Sequence, residues 1–294
     1  MKQLLVFSGI LFLFSSCVKN INFTTTQQSP ELVVDGTIEE NQSPHITLTN
    51  SLSYFSSISP ALINNAFIHG AKLTLNDGIR TVTLKEYTVP DTLGYQFSYY
   101  SVDSSTAGSI MKGQEGRTYT LNITINGIVY AAVTSIPYLS WKIDNLWWVP
   151  SVNNPDATKV IMMAMATDPS GPAHYIRYFT KVNKGPFLPG QNSVSDDEIV
   201  NGTTYSIQVS QGIDRNNPPS VKDYGYFNRG DTATLKFCNI DKATYTFWNT
   251  WEFAFSSIGN PFSTPGAVIG NISNGALGAF CGYSVQYTSL IIPK

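Results

Sequence analysis

Two hairpin turns set the limits on what this chain can fold into. Asn76-Asp77-Gly78 interrupts the stretch AKLTLNDGIRTVTLKEY, and Asn126-Gly127 interrupts YTLNITINGIVYAAVTSI. Asp-Gly and Asn-Gly supply the positive φ angles that tight turns between antiparallel strands demand. The flanking residues alternate apolar and polar, the period of a strand with one buried face. ELVVDGTI and HITLTNSL carry related patterns across a polar turn nearer the start. Strands at this spacing, with no helical period between them, predict an Ig-like antiparallel β-sandwich of about seven strands over residues 31–138.

Residues 139–294 read as a second β-rich domain with one short helix, so the whole chain is expected to be mainly β. Its strand candidates are SWKIDNLWWVP, Lys159–Thr167, His174–Lys184, Tyr205–Gln211 and Thr232–Asn239. Two turn-rich stretches, 183–203 and 211–231, exceed what hairpin connections require, and loops of that length often carry function. The helix candidate is KATYTFWNTWEFAFSSIG, from Lys242. Its Tyr245, Trp248, Trp251 and Phe255 recur at three- and four-residue steps, giving one aromatic face. Only 13% of residues are charged, against 16 Tyr and 16 Phe, the balance of an extracytoplasmic β-protein.

The first residues carry an address. Lys2 precedes the apolar run Leu4–Phe14, followed by Ser15, Ser16 and Cys17. The run is too short to cross a bilayer, which takes roughly 20 apolar residues, and has the length of a signal-peptide core. The pattern predicts a bacterial lipoprotein signal peptide over 1–16, cleavage before Cys17, and lipid on that thiol. Residues 17–30 then form a lipidated tether with a reach of about 20 Å. A formal charge of −2 gives no footprint for nucleic acid or anionic lipid. Membrane attachment is expected from acyl chains, at about 0.8 kcal/mol per buried methylene.

Cys238 and Cys281 remain. An oxidising compartment permits a disulfide, which would close a loop of about 43 residues and contribute about 4 kcal/mol in the chain-entropy model. The alternative is two buried free thiols. Pairing is the expectation.

Tests for chemistry give little. His45, His69 and His174 have no H-x-x-x-H spacing and the cysteines no C-x-x-C partner, so neither a metal site nor any cofactor is expected. Neither G-x-S-x-G nor S-x-x-K occurs, and no catalytic residue is assigned. Asp196-Asp197-Glu198, Asp214 and Asp231 read as solvated acidic turns before they read as calcium ligands. The aromatic residues alone look like a binding surface. Trp141, Trp147 and Trp148, at the expected domain junction, are the candidates for a ligand or partner surface, because Trp joins a large apolar face to a polar edge. Tyr245, Trp248 and Phe255 are expected in the core.

Three stretches together resemble the family of Bacteroidota lipoproteins known as domain of unknown function 4249. They are PELVVDGTIEENQSPHITLTNSLSYF, GRTYTLNITINGIVYAAVTSIP and NPFSTPGAVIGNISNGALGAFCGYS. The residues carrying the likeness are Leu32, Val33, Val34 and Gly36; Tyr245 and Trp248; and Asn271, Ile272, Asn274, Gly275, Leu277, Gly278 and Phe280. The resemblance implies a partner role beside TonB-dependent outer-membrane receptors and no established catalytic residues. The expectation is a non-enzymatic outer-membrane lipoprotein, accessory to such a receptor in nutrient capture or uptake. The alternative is a free-standing glycan-binding surface lipoprotein. Val18-Lys19-Asn20 after Cys17 lacks the acidic residues associated with surface export, so the membrane face stays open.

Overall fold

A computed structural model describes residues 29–53, 56–258, 260 and 266–294. The expected signal peptide, Cys17 and all but the end of the expected tether lie outside the described residues.

The first half meets the seven-strand expectation. It comprises β1 (Leu32–Glu39), β2 (His45–Asn50), β3 (Lys72–Asn76), β4 (Thr81–Pro90), β5 (Gln96–Val102), β6 (Arg117–Ile125) and β7 (Ile128–Ile136). These lie in the order β1-β2-β5-β4-β3-β6-β7, each neighbouring pair antiparallel. Both turn signals sit at hairpins: Asn126 and Gly127 take φ of 50° and 82°, and Gly78 takes 86°. A helix that the pattern had not announced, α1 (Pro60–Ala66), crosses between β2 and β3. Ser59 caps it by accepting from the Leu62 N–H at 3.2 Å, with Pro60 opening the first turn.

The second half contains β8 (Lys142–Pro150), β9 (Lys159–Thr167), β10 (Tyr175–Val182), β11 (Leu188–Asp196), β12 (Thr204–Val209), β13 (Phe227–Asn228), β14 (Thr232–Ile240), α2 (Lys242–Ser257) and β15 (Leu277–Ile291). β9 pairs with β8 on one edge and with β12 and β13 on the other, forming a small sheet. The remaining strands join the first half in one eleven-stranded sheet of order β11-β10-β14-β15-β1-β2-β5-β4-β3-β6-β7.

The junction is β15. It runs antiparallel to β14 and parallel to β1, from Val33 opposite Leu277 to Glu39 opposite Tyr283. The expected boundary at 138/139 falls in the connection between β7 and β8, yet the end of the chain returns into the first half. Phe280 belongs to the first core with Val34, Ile46, Leu73 and Leu121. A second core, with Trp141, Val160, Met162 and Phe237, lies between the two sheets of the second half. A third, with Cys238, Phe247, Cys281 and Tyr283, lies under α2.

β11 and β15 were not legible as strands. Ala279 to Ser284 are all buried, so this stretch of β15 shows no alternation, and its glycines read as turn material. Both glycines are needed for packing. A Cβ at Gly282 would lie 2.7 Å from the Ser135 carbonyl oxygen, and one at Gly278 would strike the Val34 carbonyl. β11 is disguised by Leu188-Pro189-Gly190 and by a register shift against β10.

The approach to β15 is fixed by side-chain amides. Asn271 Nδ2 donates to the carbonyls of Val133 (3.1 Å) and Phe280 (2.8 Å), and its Oδ1 accepts from the Phe280 N–H (2.9 Å). Asn274 Nδ2 donates to Val129 O at 2.7 Å. We expect Gly278→Ala to destabilise the protein by about 3 kcal/mol or more in urea unfolding, because backbone strain adds to a backbone collision. Gly275→Ala, at φ 73° but in open space, should cost only about 1 kcal/mol.

Candidate functional site

The two sheets of the second half part along one side, where β11 and β12 are the outer strands. Between them lies a cleft of about 360 Å³. Trp141, Ile176, Leu235 and Phe237 form an apolar floor. Tyr178, Tyr205 and Tyr224 bring phenol groups to the walls, while Asn192, Ser195 and Gln208 offer amides and a hydroxyl at the exposed rim. No lining residue carries a charge. Burial pushes the Tyr205 hydroxyl up to about 12 and raises those of Tyr178 and Tyr224, so all three stay protonated donors near neutral pH. Aromatic faces with hydrogen-bonding groups on an apolar floor suit a neutral, hydroxyl-rich small molecule.

The tryptophans divide differently from the expectation. Trp141 is 1% exposed and forms part of the cleft floor, so it is not a surface residue. Trp147 and Trp148 are half-buried and outside the cleft lining. Trp148 packs on the second core, with the Arg229 guanidinium 4.7 Å from its ring centre. Strand alternation sends Trp147 to the opposite face.

Behind the cleft, α2 is pinned by a buried polar network. Arg177 lies 3.4 Å from the centre of the Trp248 ring and donates to Ser193 Oγ (3.1 Å) and Tyr283 Oη (3.2 Å). The Ser193 hydroxyl and N–H donate to the two Glu252 oxygens at 2.5 and 2.8 Å, and Arg215 approaches Glu252 at 3.5 Å. Glu252, buried on the inner side of α2, was not singled out by the aromatic period. Tyr245 and Trp248 pack on the third core as expected. Phe255 does not: it is exposed and stacks on Trp251 at 5.3 Å.

The expected disulfide is corrected. Cys238 and Cys281 are both free and buried. Cys238 opposes Val285 in the β14–β15 ladder, four positions from Cys281, a separation of about 13 Å at the strand rise, beyond the roughly 7 Å limit between bridged Cα atoms. Burial pushes both thiols up to about 12.

Of the acidic residues, Asp214 caps its own turn, accepting from the Asn216 N–H at 3.0 Å, and Asp231 accepts from Asn228 N–H (3.0 Å) and Asn183 Nδ2 (2.9 Å). Asp196 accepts from Tyr245 Oη at 2.8 Å. Asp197 instead meets Asp168 and His174, their ligating atoms all within 4.8 Å of one another. Sequence spacing missed this group because two separate connections supply it, Asp168 and His174 from that between β9 and β10 and Asp197 from the one after β11. Asp168 and His174 border strand candidates, but Asp197 lies within the stretch 183–203 that reads as a loop.

The architecture is that of a mainly β protein with two sheets, a terminal strand shared between its halves and a neutral cleft at the open seam. Residues 18–289 match the family described as Domain of unknown function (DUF4249), and the chain belongs to it. No curated protein matches the chain. Of the residues that carried the likeness, those of β1 and β15 build the junction between these strands: a Cβ at Gly36 would lie 3.0 Å from the Phe280 ring and 3.1 Å from Ile46.

Two outcomes follow. Thiol reagents at pH 8 should label neither Cys238 nor Cys281 in the native protein and both in denaturant, as counted by mass spectrometry. Glu252→Ala should lower stability by about 3 kcal/mol or more in chemical unfolding, because it leaves the buried Ser193 N–H and hydroxyl, and the Arg215 guanidinium, without their acceptor.

Proposed function

We propose that this chain is a non-enzymatic lipoprotein of the outer membrane, held by lipid on Cys17, that serves a TonB-dependent receptor as an accessory subunit in nutrient capture or uptake. The observation carrying this reading is an exposed apolar surface on the outer side of α2. Phe253 (56% exposed), Phe255 and Ile258 stand out from the helix, with Val268 and Ile269 beside them. Gly266 lies against the Phe253 ring, and the Ile269 N–H donates to Thr250 Oγ1 at 3.0 Å, which makes the surface continuous. Contiguous exposed apolar area of this kind marks partner sites. Lipid on Cys17 confines the body to two dimensions, so modest affinity for a receptor in the same membrane suffices. The cleft then holds a neutral nutrient close to the receptor.

The test is a mild-detergent pull-down from native membranes with mass spectrometry. One β-barrel receptor should be recovered in near-equal amount. Recovery should vanish with Cys17→Ala and fall at least tenfold with Phe253→Asp combined with Ile269→Asp. Failure to recover any barrel sinks the accessory reading.

The cleft favours a second reading, a free-standing glycan-binding lipoprotein. It requires that the isolated protein bind polysaccharide and that Tyr205→Ala or Gln208→Ala weaken binding about tenfold or more. Trp147→Ala should leave that binding unchanged.

A further inference from the structure

Asp168 and His174 stand at the two ends of the β9–β10 connection and Asp197 follows β11, so two connections converge at one end of the seam. The side chains of Asp168, Asp197 and His174 are 0%, 2% and 20% exposed. His174 Nδ1 lies 3.1 Å from Asp168 Oδ1 and 3.1 Å from Asp197 Oδ2. An imidazole nitrogen carries at most one proton, and here its hydrogen-bond geometry is met only by Asp197. Asp168 Oδ1 is fully buried and receives no hydrogen bond. An ionised carboxylate oxygen in that position is costly unless a cation meets it.

Backbone and amide contacts hold the two carboxylates in place beside His174. The Gly202 N–H holds the other Asp168 oxygen at 3.2 Å, and the Asp168 N–H donates to Thr203 O at 3.0 Å. Asn201 Nδ2 donates to Asp197 Oδ2 (3.2 Å) and Gly171 O (3.0 Å), while the Gly171 N–H returns to Asn201 Oδ1 at 3.2 Å. Such outer hydrogen bonds position metal ligands.

We infer that Asp168, His174 and Asp197 bind one divalent transition-metal cation, represented by zinc. Two carboxylates and a neutral imidazole balance its charge. Bonds of about 2.1 Å in tetrahedral array place donor atoms about 3.4 Å apart, close to the two 3.1 Å separations here. The imidazole selects zinc-like ions over calcium or magnesium, which take oxygen ligands. With three protein ligands, a fourth position remains for water or a ligand oxygen. The ion ties β9 of the small sheet to β10 and β11 of the large one, and so fixes the end of the cleft. The inference stands independently of the receptor partnership.

The experiment uses the full lipidated protein in detergent, stripped with chelator and dialysed against zinc chloride alone. Elemental analysis should find one zinc per chain, and the melting temperature should rise by roughly 5 °C or more at saturation. Asp168→Asn and His174→Gln should each lose at least nine-tenths of the zinc while keeping the circular dichroism of the stripped parent. Calcium chloride should give no comparable rise. Failure of the parent to retain zinc, equal retention by both variants, or preference for calcium overturns the inference. Should a variant fail to fold, cobalt(II) loaded into the parent decides: a visible absorption band of a low-coordinate nitrogen–oxygen site supports it, and its absence overturns it.

Discussion

Everything else in this molecule hangs on the parallel pairing of β1 with β15. A strand from the end of the chain is laid beside the first described strand, and β14 covers its other edge. Non-local parallel pairing carries a large loop-closure cost before any contact offsets it. The offset comes from burial on both faces: Phe280 enters the first core while Cys281 and Tyr283 enter the third. Small residues make that possible. Gly36 leaves room for the Phe280 ring, and Gly278 and Gly282 let neighbouring backbones approach. The halves are separable in the core each builds, yet neither has its full sheet without β15.

This explains what was legible. The first half announced itself because its strands have one wet face, so alternation and the Asn-Gly and Asp-Gly turns survive in the residue order. β9 and α2 were legible for the same reason: each presents a periodic apolar face. β15 was silent because two-sided burial erases the period of two and favours glycine and alanine, which otherwise signal turns. β11 was silent because Pro189 and Gly190 resemble a loop. The cleft inherits that silence, since one of its walls is β11. Trp147 and Trp148 drew attention by size alone, whereas the cleft walls are built from Tyr178, Tyr205 and Tyr224, three tyrosines in unrelated segments.

The long connections also have a physical role that composition did not reveal. β11 is an edge strand, and an open edge invites pairing with other chains. The connection after β12 covers the start of that edge: the Ile213 N–H donates to Pro189 O at 2.9 Å, and Arg215 donates to the carbonyls of Gly190 and Gln191 at 3.2 Å. Arg215 then reaches Glu252, so the same side chain covers the start of the edge and anchors α2.

The opposite end of the eleven-stranded sheet is treated differently. At β7, the Ala131 N–H donates to Ser273 Oγ and the Ser273 N–H returns to Ala131 O, both at 2.8 Å, so the segment before β15 seals that edge. Asp241 adds to the seal, accepting from Ser135 N–H (2.7 Å) and Thr134 Oγ1 (3.0 Å) while capping α2. One margin of the sheet is therefore closed by backbone and amide contacts. The other is left ajar over an uncharged cleft, pinned at its end by Asp168, His174 and Asp197. A strand sandwich exposes its interior only where its edges part. In this fold the margin at β11 and β12 has that freedom, because the chain's last strand has already committed the other to structure.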